Sequence, residues 1–192
     1  MEQMDGIEII TCEDATQWES WLAKHFEVKA GVWTKIAKKR SAKTSMTITE
    51  ALDVALCYGW IDSVRKSLDE AYYLQKYSPR RPKGHWSKVN IDKVEALMAA
   101  GRMRPPGLAE VDAAKADGRW DAAYESQANA TVPPDLEAAL QQNAQAKDFF
   151  DQLGKTDRYL VILQLLKARA AETRAARLSK MIAQLAAGQK IT

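Results

Sequence analysis

Hydrophobic positions along the chain change period several times, and each change marks an element. Ile7-Glu8-Ile9-Ile10 alternates with β-branched residues, as a short strand does. Thr11 or Asp14 then opens a run in which Trp18, Trp21, Leu22 and His25 recur at three and four, the spacing of an amphipathic helix. Residues 31–38 alternate again, with Val32, Thr34 and Ile36 on one face of a strand and Trp33 and Lys35 on the other. Thr47-Ile-Thr-Glu50 is a capping box, in which the Thr hydroxyl and the Glu carboxylate satisfy each other's backbone N–H groups. The helix it predicts, with Leu52, Ala55 and Leu56 inward, ends at Gly59, a residue at ease in the left-handed region. Residues 60–67 and 71–78 flank Leu68-Asp69-Glu70 and read as a hairpin, closed by Pro79, which has no N–H for a ladder.

From Asn90 onward the period is helical. Asn90 is the expected cap of a helix with Ile91, Val94, Leu97 and Met98 inward and Gly101 behind it. Pro105-Pro106 opens another that Gly118 terminates. Residues 121–134 are weakly patterned and read as an irregular link. One helix carrying Leu136, Leu140, Phe149, Phe150 and Leu153, one capped by Thr156, and a last one repeating Ala171, Ala175, Leu178, Ile182 and Leu185 complete the chain. The expected fold is α+β: a small antiparallel β-sheet flanked by helices, with a helical C-terminal part. The expected domains are residues 1–120, the link 121–134, and a helical segment 135–192 packed on the first.

Charge changes this picture little in sum and more in its distribution. The net charge is +3. Residues 1–27 hold seven acids and one Lys, while 28–49 hold six Lys/Arg and no acid. Residues 71–91 again lack acids and carry Lys76, Arg80, Arg81, Lys83 and Lys88. Alternating blocks of this kind pair within a fold, or else expose a basic surface to phosphate or carboxylate groups. Two cysteines and two histidines are too few for a disulfide framework or a zinc site, and no metal or other cofactor is expected. No apolar run reaches the ~20 residues of a membrane span. The acidic start MEQMDGIEII lacks the features of a signal peptide, so the expected compartment is the cytoplasm.

Further motifs are shared with a known family. Ala55-Leu-Cys-Tyr-Gly-Trp-Ile-Asp-Ser63, Tyr73-Leu-Gln75, Tyr77-Ser-Pro-Arg-Arg-Pro82, Trp86-Ser-Lys-Val-Asn90, Ala114-Lys-Ala-Asp-Gly-Arg-Trp120, Arg158-Tyr159, Lys167-Ala168 and Glu172-Thr-Arg174 stand in this order. With them the chain resembles the YdeI/OmdA-like bacterial proteins, named for bacteriocin protection and OmpD association. It departs from that pattern at Leu160-Val-Ile162, where the family has Trp-Ile after the Tyr, and at Ala171, where it has Pro. The second departure weakens the signal for a break between the last two helices. The resemblance implies phenotypes and an association, with no reaction attached.

Chemistry concentrates in residues 57–86. Arg80 and Arg81 offer planar forks for a carboxylate or phosphate. Lys83 and His85 add charge, Trp86 or Tyr77 offers a stacking face, and Asp62 on the neighbouring strand would orient the arginines. The ligand-binding set is therefore Asp62, Tyr77, Arg80, Arg81, Lys83, His85 and Trp86, for a small anionic ligand or an acidic protein surface. One alternative is an enzyme with Asp62 as base and His85 as acid. Another is a ligand-free interaction module serving envelope stress or bacteriocin tolerance. Cys57 is a nucleophile only where its pKa is lowered. Arg169, Arg174, Arg177 and Lys180 partly share a helix face as phosphate contacts do. The acidic stretch 107–153 nevertheless weighs against nucleic acid.

Overall fold

A computed structural model of the chain describes residues 2–168 and 170–191. Two compact units emerge. One runs to Gly84 and resumes over Asn90–Ala122; the other joins His85–Val89 to the chain from Ala123 onward.

The first unit is built on a five-stranded mixed sheet of order β1-β2-β3-β5-β4. β1 (Gln3–Met4) and β2 (Ile7–Thr11) form a hairpin around Asp5 and Gly6, both at positive φ, 54° and 73°. An Asp-Gly pair suits a two-residue turn whose twist matches that of the strands. α1 (Ala15–His25) is capped by Asp14, whose side chain accepts from the Gln17 N–H. β3 (Val32–Ala37) then returns parallel to β2, with Ile9 opposite Trp33. The expectation of a purely antiparallel sheet therefore fails at this pair. A helix between two strands carries the chain back to the starting end, and neighbours so joined run parallel.

α2 (Ile48–Cys57) has its full capping box: Thr47 accepts from the Glu50 N–H, and Glu50 accepts from the Thr47 N–H at 2.8 Å. β4 (Trp60–Ser67) and β5 (Tyr72–Pro79) are the expected hairpin, its turn held by Asp69, which accepts from the N–H groups of Ala71 and Tyr72 at 2.7 Å. β5 pairs antiparallel with β3, leaving β4 at the edge. There the register shifts between Asp62 and Arg65, a bulge that with Arg65 and Lys66 blunts the open edge. α3 (Lys88–Ala99) begins two residues before Asn90, so Asn90 lies in its first turn instead of capping it. α4 (Pro105–Ala116) opens on its prolines as expected.

The acidic and basic blocks of this unit meet one another. Glu2 pairs with Lys35 at 2.5 Å, Asp5 with Lys66 at 2.7 Å and Glu19 with Arg104 at 2.5 Å. On one sheet face Ile9, Trp33 and Leu74 form a small cluster, with the Lys66 ammonium 5.3 Å from the Trp33 ring. The larger core lies on the other face, where α1 and α2 cover Val32, Ile36 and Tyr77.

The second unit contains α5 (Pro134–Gln141), α6 (Ala144–Gln152), α7 (Lys155–Leu166) and α8 (Ala171–Ala186). The single helix expected from Leu136 to Leu153 is divided, because Asn143 caps α6 by accepting from the Ala146 N–H at 3.0 Å. Thr156 sits inside the first turn of α7, which starts after Gly154, and its hydroxyl accepts from Gln127 instead of capping the helix. The break between α7 and α8 persists with Ala at position 171. Leu136, Phe150, Val161, Leu165, Met181 and Leu185 make the core. Arg174 holds three helices together. Its Nε and Nη2 donate to the two Asp135 oxygens at 2.6 and 2.8 Å, and its Nη1 to the Leu165 carbonyl at 2.8 Å. Arg177 donates to the Gln164 carbonyl at 2.7 Å. Both arginines are thus engaged within the bundle; Arg169 lies outside the described residues.

Two stability predictions follow from this packing. Gly31 has φ 73°, and a Cβ there would stand 2.3 Å from the Tyr77 carbonyl oxygen, whereas Gly101, at φ 65°, has open space. Gly31→Ala is expected to cost about 2–4 kcal/mol and Gly101→Ala only about 1 kcal/mol, read from urea midpoints. The hydrogen bonds from Arg174, ahead of burial, hold the Asp135 carboxyl below the usual carboxylate range. A carboxyl depressed in the fold stabilises above its unfolded pKa, and that contribution fades as pH falls through the folded value. Asp135→Asn is therefore expected to flatten the acid limb of a stability–pH profile below about pH 4, with both partners' partial exposure keeping the effect small.

Candidate functional site

Three large aromatic side chains fix the geometry of the first unit. Trp18 of α1, Trp60 of β4 and Tyr77 of β5 are fully buried. Trp18 lies 6.3 Å from Trp60 edge to face and 5.6 Å from Tyr77, centroid to centroid. Each indole finds a backbone acceptor, Trp18 Nε1 at Ala51 O (3.0 Å) and Trp60 Nε1 at Phe26 O (2.8 Å). The second bond ties the end of α1 to the start of β4. Trp21 and His25 continue the stack outward, 4.5 Å apart, and the His25 ring is bonded to the Trp21 carbonyl.

Beside this cluster is a cleft of about 570 Å³. Phe26, Tyr58 and Trp60 wall it, and its charged groups are two cations, Lys29 and Arg80, and two carboxylates, Glu27 and Glu110. Its volume falls within the range of small-molecule sites. The chain is drawn tight around it. The Arg80 N–H donates to the Gly59 carbonyl at 3.0 Å, and the Arg104 N–H to the Cys57 carbonyl at 3.0 Å. Gly107 lets α4 press on the end of α2: a Cβ there would meet the Cys57 carbonyl oxygen at 2.2 Å. Gly59, at φ 74°, faces the Pro106 carbonyl in the same way.

Arg119, only 6% exposed, is bonded to the cleft residue Glu110. It donates to Glu110 at 2.9 Å, to Asp117 at 2.7 and 2.9 Å, and to the Gly84 carbonyl at 3.3 Å. A guanidinium this buried is tolerable only when paired. The pairing takes up the charge of Glu110 and anchors the end of the 80–84 turn.

The residues singled out in the sequence divide. Asp62 and Tyr77 are cross-strand partners. Burial, working against its own N–H, Arg65 and Arg80, raises the Asp62 carboxyl above its ordinary pKa. The Tyr77 hydroxyl is buried without a hydrogen-bond partner among the described residues, and burial pushes the phenol well up. Arg80 is half-buried at the cleft, while Arg81 and Lys83 are exposed on the following turn, Lys83 at φ 62°. His85 and Trp86 belong to the second unit, where the Trp86 carbonyl accepts from the Tyr124 N–H at 3.1 Å. The Cys57 thiol is buried and raised by desolvation, the opposite of what a nucleophile requires. Among the described residues no group of three or more His, Cys, Asp and Glu side chains is arranged to hold a metal ion. No described helix is long and apolar enough to cross a membrane.

Sequence reasoning missed Lys29, Tyr58, Glu110 and Arg119 as parts of this site. Gly107 inside a proline-led helix was the available signal, since a glycine there marks a close backbone approach.

Two family models match the chain. Residues 10–110 match a domain of unknown function (DUF8412), and residues 129–188 match the family described as Bacteriocin-protection, YdeI or OmpD-Associated. The first spans more than half of the chain. The chain belongs to the DUF8412 family. The second match is to the family its motifs resemble, and it falls on the helical segment that carries Arg158-Tyr159 and Glu172-Thr-Arg174. The motifs between Ala55 and Asn90 fall within the DUF8412 match instead. No curated protein and no solved structure matches.

Asp62 makes the cleft region measurable by pH. A carboxyl whose pKa is raised in the fold destabilises once ionised, and the penalty grows from the unfolded pKa up to the folded one. Asp62→Asn is expected to raise the unfolding temperature at pH 7 and to make no difference below about pH 4.

Proposed function

We propose that the protein binds a small anionic molecule in the cleft of its first unit, with Arg80 as the anion-recognising group. The observation that carries this reading is a cleft of ligand size in which Arg80 stands beside the aromatic walls of Tyr58 and Trp60. Arginine presents a planar fork that suits carboxylate or phosphate, and apolar walls exclude the water that would compete for it. Lys29 adds a second positive charge, and Arg119 offsets the negative charge of Glu110. Arg81 and Lys83 contribute the field that draws an anion toward the turn. Asp62, an electrostatic neighbour of Arg80, orients it at a cost in stability. Tyr77 supplies packing beneath. His85 and Trp86, counted with the other unit, extend the same basic and aromatic stretch along the chain.

The family description attached to residues 129–188 records protection and association. That description is compatible with a binder, and the cleft favours a ligand over a bare interaction surface. A thermal-shift panel of nucleotides and sugar phosphates tests the reading. A ligand at a hundred times its dissociation constant adds about 2.7 kcal/mol, a rise of roughly 5–10 °C for a chain of this size. The expected result is such a rise in wild type and in Lys39→Ala, and its loss in Arg80→Ala. A rise that Arg80→Ala keeps would move the site elsewhere.

A further inference from the structure

The second unit holds a cavity of its own, of about 640 Å³, which the basic stretch around Arg80 does not touch. Val132, Phe150 and Ile162 give it apolar walls, and Ala128 and Ala130 keep one side open through their small side chains. Two cations from the first turn of α7, Lys155 and Arg158, line the same space.

Neither cation has a carboxylate partner among the described residues, although acids lie nearby. Asp151 pairs with Lys147 at 2.5 Å, and Asp157 pairs with Lys190 at 2.7 Å. Arg158 uses one nitrogen on the Asp151 backbone carbonyl and lies over the Phe150 ring, its central carbon 5.7 Å from the centroid. Its Nε is buried and donates to nothing among the described residues. A buried donor without an acceptor is costly, and nearby Asp151, whose carboxylate feels the Arg158 charge, is already paired with Lys147. An oxyanion entering the cavity would give that donor an acceptor. The N-terminus of α7 adds to the effect: Gly154 gives it no side-chain cap, so its first N–H groups and dipole also favour a negative charge.

We infer that this cavity is a binding site for a small amphiphilic anion, whose carboxylate or phosphate head is held by Arg158 and Lys155 and whose apolar body lies against Val132, Phe150 and Ile162. The inference does not depend on the cleft near Arg80. Nothing in the family descriptions assigns it.

Calorimetric titration of the full chain with monomeric decanoate, decyl phosphate and decanol tests it. The expected result is that one or both anions bind and that decanol binds at least about tenfold more weakly, since a charged hydrogen bond is worth that much. Which anion binds tighter distinguishes a carboxylate from a phosphate head. Lys155→Gln/Arg158→Gln is expected to bring the anions down to the affinity of decanol. Ala128→Trp, at an exposed position on the rim, is expected to weaken all three by obstructing the cavity. Arg80→Ala should leave every affinity unchanged, which separates this site from the cleft. Binding of neither anion, equal affinity for decanol, or anion binding that survives both variants would overturn the inference.

Discussion

Two buried indole N–H groups of the first unit have backbone acceptors, and those two bonds set where the surrounding elements go. Trp18 and Trp60 are fully buried, and each carries a donor that is costly to leave unsatisfied. Trp18 takes the Ala51 carbonyl and so fixes α2 against α1. Trp60 takes the Phe26 carbonyl and so fixes the end of α1 against β4. With those two bonds made, Tyr77 is enclosed, β5 is held between β3 and β4, and the chain leaves β5 at Arg80.

The cleft is a consequence of that arrangement. Trp60 belongs to the core and also lines the cleft, and Gly59 and Gly107 allow α4 to approach closely enough to form the opposite wall. Arg119 then reaches Glu110, Asp117 and the Gly84 carbonyl together. A single buried guanidinium thus ties the wall to the turn after Arg80. Asp62 is the tension in the design. Its carboxyl is desolvated on the sheet, which opposes ionisation, yet it stands within the field of Arg65 and Arg80. Structures keep such groups where geometry at a site outweighs stability.

The second unit solves a different problem, four short helices that cannot bury their apolar stripes alone. Its fixed point is Arg174, which spans α5, α7 and α8 through Asp135 and a helix-end carbonyl. A row of arginines on the last helix therefore serves the bundle before it serves any partner. Lys155 and Arg158, at the other end of α7, line the cavity.

The sequence by itself determined the elements that local chemistry specifies. The capping box at Thr47, the Asp14 cap, the hairpin around Asp69 and the proline-led α4 all follow from hydrogen bonds and dihedral limits acting within a few residues. It also marked the acid-free stretch in which Arg80 lies. Signals of the same local kind, Asp5-Gly6 and Asn143, mark the first hairpin and the division between α5 and α6. Only the tertiary structure decided the parallel pairing of β2 with β3, the bulge after Asp62, and the meeting of Lys29, Trp60, Arg80 and Glu110 around one cleft. The reason is physical. Pairing partners and cleft walls are chosen by burial and backbone approach between segments tens of residues apart, and no local pattern records which distant segment will arrive.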